Sequence, residues 1–192
     1  MPDLRISSKG SFREVFQYTF LPCGALRLNT DGAVADALNT GSVNGVPFIE
    51  FDPAAGAALA ANDGFGFAFL VPYNYSADSG GVLTIRTFVG ISGGGGTETG
   101  TFQLLIENNE NDAATADPND FTFAESQGAI AFDADNTIHE LSWTLQQPQL
   151  EPGKLLGGEI SLSAVTNMAV NTEELRLFGG VELIWRGVGM IE

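Results

Sequence analysis

The sequence predicts an all-β protein: an antiparallel two-sheet β-sandwich of about eight to ten strands, with jelly-roll topology preferred. Three observations carry that expectation. Apolar residues recur at every second position in segment after segment, turn residues interrupt them about every ten residues, and only two short stretches have helical character. At most one or two short helices are expected.

The clearest segment is Phe65 to Gly90. Phe65, Phe67, Phe69 and Val71 fall on one side of an extended chain, which must be buried against a second layer. Pro72 removes a backbone donor and stops the ladder, and Asn74 to Gly81 supply turn chemistry. Leu83, Ile85, Thr87 and Val89 then form the inward set of a second core strand.

Before that pair, Met1 to Ser11 has no periodicity and reads as a flexible arm, leaving residues 12–192 as one sandwich domain. Phe16, Tyr18 and Phe20 alternate as a strand that Pro22 and Gly24 end. Thr30 to Gly45 is rich in Asp, Asn and Gly and reads as an excursion, with at most one helical turn at Ala33 to Leu38. Val46 to Phe51 is a strand with Ile49 and Phe51 on one side and Phe48 and Glu50 on the other. Ala54 to Ala61 has the highest helix propensity in the chain and is read as a short helix or surface linker.

Further along, Phe102, Leu104 and Ile106 mark a strand, and Phe121, Phe123, Ile130 and Phe132 mark two short ones. His139, Leu141, Trp143 and Leu145 share one side of a clear strand, with the histidine at the edge of the apolar set. Ile160, Leu162 and Ala164 resume the sheet. In the last strand the apolar parity changes at Gly179-Gly180, which predicts a bend or bulge there. Val188, Met190 and Ile191 make an apolar end, suited to contact with a neighbouring subunit.

Composition narrows the function classes. Charged residues are only 17% of the chain, so much of the surface must be neutral and polar. Twenty-four acids against eight bases give a formal charge of -16, which opposes a nucleic-acid partner. Three of the bases, Arg5, Lys9 and Arg13, fall at the start of the chain, where an arm could order on an acidic neighbour. No apolar run reaches the ~20 residues of a membrane span, no secretory h-region opens the chain, and no membrane partner is expected.

Recognisable chemistry is sparse. One cysteine, Cys23, and one histidine cannot build a zinc site, and no cofactor is expected. Gly93 to Gly96 lacks the helix start that a phosphate loop requires, because a strand follows it. The acidic stretches Asn109 to Asn119 and Asp133 to Asn136 match no EF-hand spacing and read as solvated loops, with calcium as the alternative. The residual enzyme reading rests on paired carboxylates such as Glu140 and Glu159, and no enzyme is expected.

The run Phe67-x-Phe69-Leu70-x-Pro72-x-x-Tyr75, then Gly80-Gly81-x-Leu83-Thr84-x-Arg86, resembles a pattern of jelly-roll virion proteins of tailed bacteriophages. The Leu150-x-Pro152-Gly153 turn and the ending Gly180-Val181-x-Leu183 are similar too. The resemblance spans Phe65 to Glu192 and brings no catalytic residues. It implies a non-enzymatic structural protein, first of all a capsid decoration or cement protein on the outer surface of the virion, made in the host cytoplasm. Its partners would be the major capsid protein or other virion proteins, and it would be a homo-oligomer, with a trimer favoured.

Two other functions share these features. A tail or baseplate appendage of the same virion would carry the same sequence signals. A carbohydrate-binding sandwich would use exposed aromatic platforms, for which Tyr73, Tyr75 and Trp185 are the candidates. Together with Arg5, Lys9, Arg13, Met190 and Ile191, these three are the candidate partner-contact residues.

Overall fold

Alternation is converted into two six-stranded antiparallel sheets in the computed structural model, which describes residues 12–29, 37–53, 56–75, 82–93, 97–107, 122–132, 137–145, 152–169 and 173–190. The strands in chain order are β1 (Phe12–Pro22), β2 (Arg27–Asn29), β3 (Ala37–Val43), β4 (Val46–Asp52), β5 (Gly64–Leu70) and β6 (Leu83–Ser92). They continue as β7 (Glu98–Glu107), β8 (Thr122–Ser126), β9 (Ile130–Phe132), β10 (His139–Leu145), β11 (Leu155–Thr166) and β12 (Glu174–Met190). One 3-10 turn, Cys23–Ala25, is the helical content among the described residues.

The first sheet runs β10-β6-β12-β4-β3, with β1 also on β12; the second runs β2-β5-β11-β7-β8, with β9 also on β7. The segments Phe65–Leu70 and Leu83–Ser92, consecutive strands in the chain, therefore lie in opposite sheets. Both line the core, from different sheets, rather than pairing as a hairpin. Phe65, Phe67, Phe69, Phe102, Leu104, Ile106 and Ile160 fill the core from one side. Ile49, Phe51, Leu83, Ile85, Leu141, Trp143 and Leu183 fill it from the other. Each such side chain contributes about 1.5–3 kcal/mol of burial.

The long strand β12 organises the first sheet. Its first part, Leu175 to Phe178, pairs with β4 on one edge, and its later part, Gly180 to Met190, pairs with β1 on that same edge. Strand β6 runs along the other edge, and its register with β12 shifts between Phe178 and Val181. Gly179 and Gly180 are two extra residues relative to β6, an even number that leaves the alternation unchanged, so that Leu175 and Leu177 and then Val181, Leu183 and Trp185 all point inward. The register break falls at the glycines where a bend or bulge is expected, but the expected change of parity does not occur, because the inward residues on both sides of it are odd-numbered.

Glycine is obligatory here. Gly180 has φ of 149°, and a Cβ on it would lie 2.0 Å from the carbonyl oxygen of Leu21. That close approach lets the end of β1 dock where β4 leaves off. The hydroxyl of Thr87, fully buried, donates to the Gly180 carbonyl at 2.9 Å and satisfies the opened ladder.

Two early expectations change. Residues 37–43, assigned to an irregular excursion, form edge strand β3, paired with β4. Residues 56–61, given helical character by their alanines, form no helix. Leu59 is drawn into the core instead, and the amide of Asn62 donates to the Leu162 carbonyl at 2.7 Å, so tertiary contacts override propensity. Of the expected helical turn Ala33 to Leu38, residues 37–38 belong to β3 and residues 33–36 lie outside the described residues, as do Gly94 to Gly96 of the tetraglycine run, both acidic stretches and the N-terminal arm.

Candidate functional site

The two outer faces of the sandwich differ in chemistry. On the second sheet, strand alternation turns Gly66, Ala68, Gly157 and Ala124 outward together with Leu70, Leu105, Leu155 and Glu159, with no aromatic ring in that set. On the first sheet the outward set is aromatic and charged. That face is the candidate site.

Its cross-strand rungs follow from the register. Phe48 of β4, Phe178 of β12, Phe88 of β6 and Glu140 of β10 lie side by side. Beyond the bulge, Phe20, Glu182, Arg86 and Ser142 form the next rung, and Tyr18, Ile184, Thr84 and Thr144 the one after. Phe16 opposite Arg186 ends the series. Four strands at the usual sheet spacing make each rung about 14 Å across.

At one end the face is filled in. The rings of Phe48 and Phe178 meet edge to face at 5.8 Å, and the Arg176 guanidinium lies 4.5 Å over Phe48. Arg176 Nε donates to the Glu50 carboxylate at 2.5 Å, and Glu174 lies 3.5 Å from the same guanidinium. Ser92 donates to Glu174 at 2.6 Å. Burial pushes the Glu50 carboxyl above its usual range, against the opposing hydrogen bond from Arg176, while the nearby charge of Glu174 adds to the rise.

At the other end the face is open. Phe16, Tyr18 and Phe20 are 70%, 75% and 53% exposed, a row of three aromatic rings on one edge strand. The guanidinium of Arg186 lies 5.2 Å over the Phe16 ring. Beside the row, Arg86 is held by Glu182 through Nε at 2.8 Å and through Nη2, with Glu140 at 3.7 Å. The hydrogen bond to Glu182 raises the Arg86 pKa further, so its charge is fixed. Aromatic faces on one side and fixed donors, carboxylates and hydroxyls on the other suit a ligand with both apolar faces and hydroxyl edges.

The carboxylate pair considered from the sequence does not form. Glu140 and Glu159 lie in different sheets, and alternation turns them to opposite outer faces of the sandwich, so they do not pair. No cluster of three or more metal-ligating side chains occurs among the described residues. His139 packs edge to face on Phe132 at 5.4 Å, with its Nε2 buried and without a hydrogen-bond partner.

The candidate contact residues separate sharply. Tyr73 is 81% exposed and its ring lies against Gly153. Tyr75 and Trp185 are 4% and 7% exposed and belong to the core, so neither can serve as a platform. Tyr75 closes the turn after Pro72, its amide donating to the Pro72 carbonyl at 2.9 Å, and burial raises its phenol pKa. Trp185 has the same inward parity as Leu175, Leu177, Val181 and Leu183. Arg13 pairs with Gly189 and Met190 with Phe12 in the β1–β12 ladder, which brings both ends of the described chain together. Arg5, Lys9 and Ile191 lie outside the described residues.

Sequence reasoning placed Phe16, Tyr18 and Phe20 on a strand and did not single them out. Their alternation is the same signal that a core strand gives. The distinguishing clue is Leu21, which packs against the core from the opposite parity and turns the three rings outward.

No known family profile and no curated protein sequence matches the chain. Solved structures share its fold. The CBM22-1 xylan-binding domain from Paenibacillus barcinonensis Xyn10C superposes with a TM-score of 0.50 at 13% identity, over 95% of this chain and 99% of that one. The CBM22-1-GH10 modules of Clostridium thermocellum xylanase 10B, complexed with xylohexaose, give 0.51 at 15% identity over 89% of this chain. This chain spans only 28% of that xylanase chain. The enzymatically active domain of bacteriophage CBA120 tailspike protein 4 is more distant, at 0.42 and 14% identity. At these identities the likeness is one of fold: a β-sandwich of the kind found in carbohydrate-binding modules.

Proposed function

We propose that the chain is a non-catalytic carbohydrate-binding β-sandwich that holds glycan on the open half of the first sheet's outer face. The observation that carries this reading is the exposed row Phe16, Tyr18 and Phe20 beside the Arg86–Glu182–Glu140 system. Flat rings stack on the apolar faces of pyranose units, and fixed polar groups then select hydroxyl orientation. The formal charge of -16 disfavours anionic polysaccharides, so neutral glycans are the expected class. The sandwich shared with a xylan-binding domain makes xylan the first glycan to try. This displaces the Tyr75 and Trp185 platform expected from sequence, because both rings are buried.

Affinity electrophoresis against soluble xylan, mixed-linkage glucan and mannan tests it. Retardation by at least one neutral glycan is expected, weakened about tenfold or more by Tyr18→Ala, which leaves the fold intact because the ring is exposed. Migration unaffected by every glycan would refute the reading.

A second reading keeps the virion protein, as a shell decoration or a tail appendage. It is supported by exposed Leu70 and Leu155, partners across β5 and β11, near the exposed ring of Tyr73. Such an apolar end suits a protein contact. Stoichiometric co-purification with phage shells or tails is its expected outcome, and the copy number separates the two locations.

A further inference from the structure

We infer that β1 is a self-association edge, at which two copies of this chain pair antiparallel about a two-fold axis through Tyr18. Strand β1 is bonded to β12 on one side, and no other described strand pairs with its second side. Among the described residues, eleven residues of backbone therefore present an open edge. Natural edges are usually protected by charge, proline or a bulge. Here the central run Val15 to Leu21 contains no charge and no proline, and its register with β12 is unbroken.

The side-chain order identifies the occupant as a second copy. Read from Val15 to Leu21, the run is aliphatic, Phe, polar, Tyr, polar, Phe, aliphatic: Val15, Phe16, Gln17, Tyr18, Thr19, Phe20, Leu21. It is a chemical palindrome centred on Tyr18. An antiparallel two-fold axis through that residue sets Phe16 opposite the other copy's Phe20, Gln17 opposite Thr19 and Tyr18 opposite itself. Every class meets its match, as an isologous interface requires. The uncharged run is also where two chains of charge -16 approach with least repulsion.

The inference stands on the backbone edge and the residue order, independently of the glycan reading. Its consequence is that the two first sheets would join into one continuous sheet, with the exposed rings of both copies on the same surface. The rings would remain open on that surface, so any ligand held there would be held bivalently. One strand pair buries less than a standard ~1,600 Å² interface, so a micromolar dimer is expected.

Sedimentation of the intact chain between about 1 and 100 μM is expected to follow a monomer–dimer equilibrium. Mild oxidation of Tyr18→Cys should then give a disulfide-linked dimer, because residue 18 faces itself across the axis. Phe16→Cys, which faces residue 20, should not cross-link under the same conditions. The parent chain is the control, since its one cysteine, Cys23, is buried. A strict monomer at the upper concentration, a trimer, or equal cross-linking of the two variants would overturn the inference.

Discussion

Trp185 donates its indole N–H to the side-chain oxygen of Asn74 across 3.2 Å. The amide nitrogen of Asn74 in turn donates to Gln17 at 2.7 Å, so one short side chain ties the turn after β5 to both β1 and β12. Trp185 is almost wholly buried, and its N–H depends on this partner. We expect Asn74→Ala to destabilise the protein by about 1–3 kcal/mol through the unsatisfied indole. Urea unfolding followed by tryptophan fluorescence checks this. A midpoint equal to that of the parent would mean that the hydrogen bond contributes nothing net.

The bulge in β12 predicts unequal outcomes at two adjacent glycines. Gly179 has φ of 70°, but the nearest atom to a Cβ there is 3.6 Å away, in the Phe20 ring. Gly179→Ala should therefore cost only the backbone term, about 1–2 kcal/mol. At Gly180 a Cβ would run into the Leu21 carbonyl, so Gly180→Ala should lose folded protein or cost more than about 4 kcal/mol. Comparing soluble yield and thermal midpoints of the two variants decides it. Equal effects would show that β1 can shift to make room.

How far the sequence could be read depended on which sides of a strand are buried. Strands β5, β6 and β10 were legible because their apolar residues alternate without interruption, and each apolar set lies in the core. The Gly179-Gly180 bulge was legible in the paired glycines that interrupt an apolar strand, and not in a change of parity, since Leu177 and Val181 point the same way. Strand β3 was not, since an edge strand reading Ala-Leu-Asn-Thr-Gly-Ser-Val carries turn residues and little to bury. The candidate face was half legible. Arg86 stands on an outward polar face as its parity implied, whereas Phe16, Tyr18 and Phe20 give the pattern of a buried strand and differ only in having no layer above them among the described residues. Trp185 shows the converse, an aromatic residue that shares the parity of the core residues Leu175, Leu177 and Leu183 and is buried with them.

The filled end of the same face predicts a pH dependence. Burial raises the Glu50 carboxyl above its ordinary value, more than the Arg176 hydrogen bond lowers it. A carboxyl with a raised folded-state pKa binds protons more tightly when folded, so ionising it costs stability. That cost is absent below the ordinary carboxyl value and fully present above the raised one. Glu50→Gln removes the titration while keeping an acceptor for Arg176. The stability of the parent relative to Glu50→Gln should therefore fall as pH rises from about 4 to about 7. Urea unfolding of both proteins at the two pH values measures it. An advantage of the parent that grows with pH would mean that the ion pair with Arg176 outweighs desolvation, and that the filled end is held by charge rather than by the packing of Phe48 on Phe178.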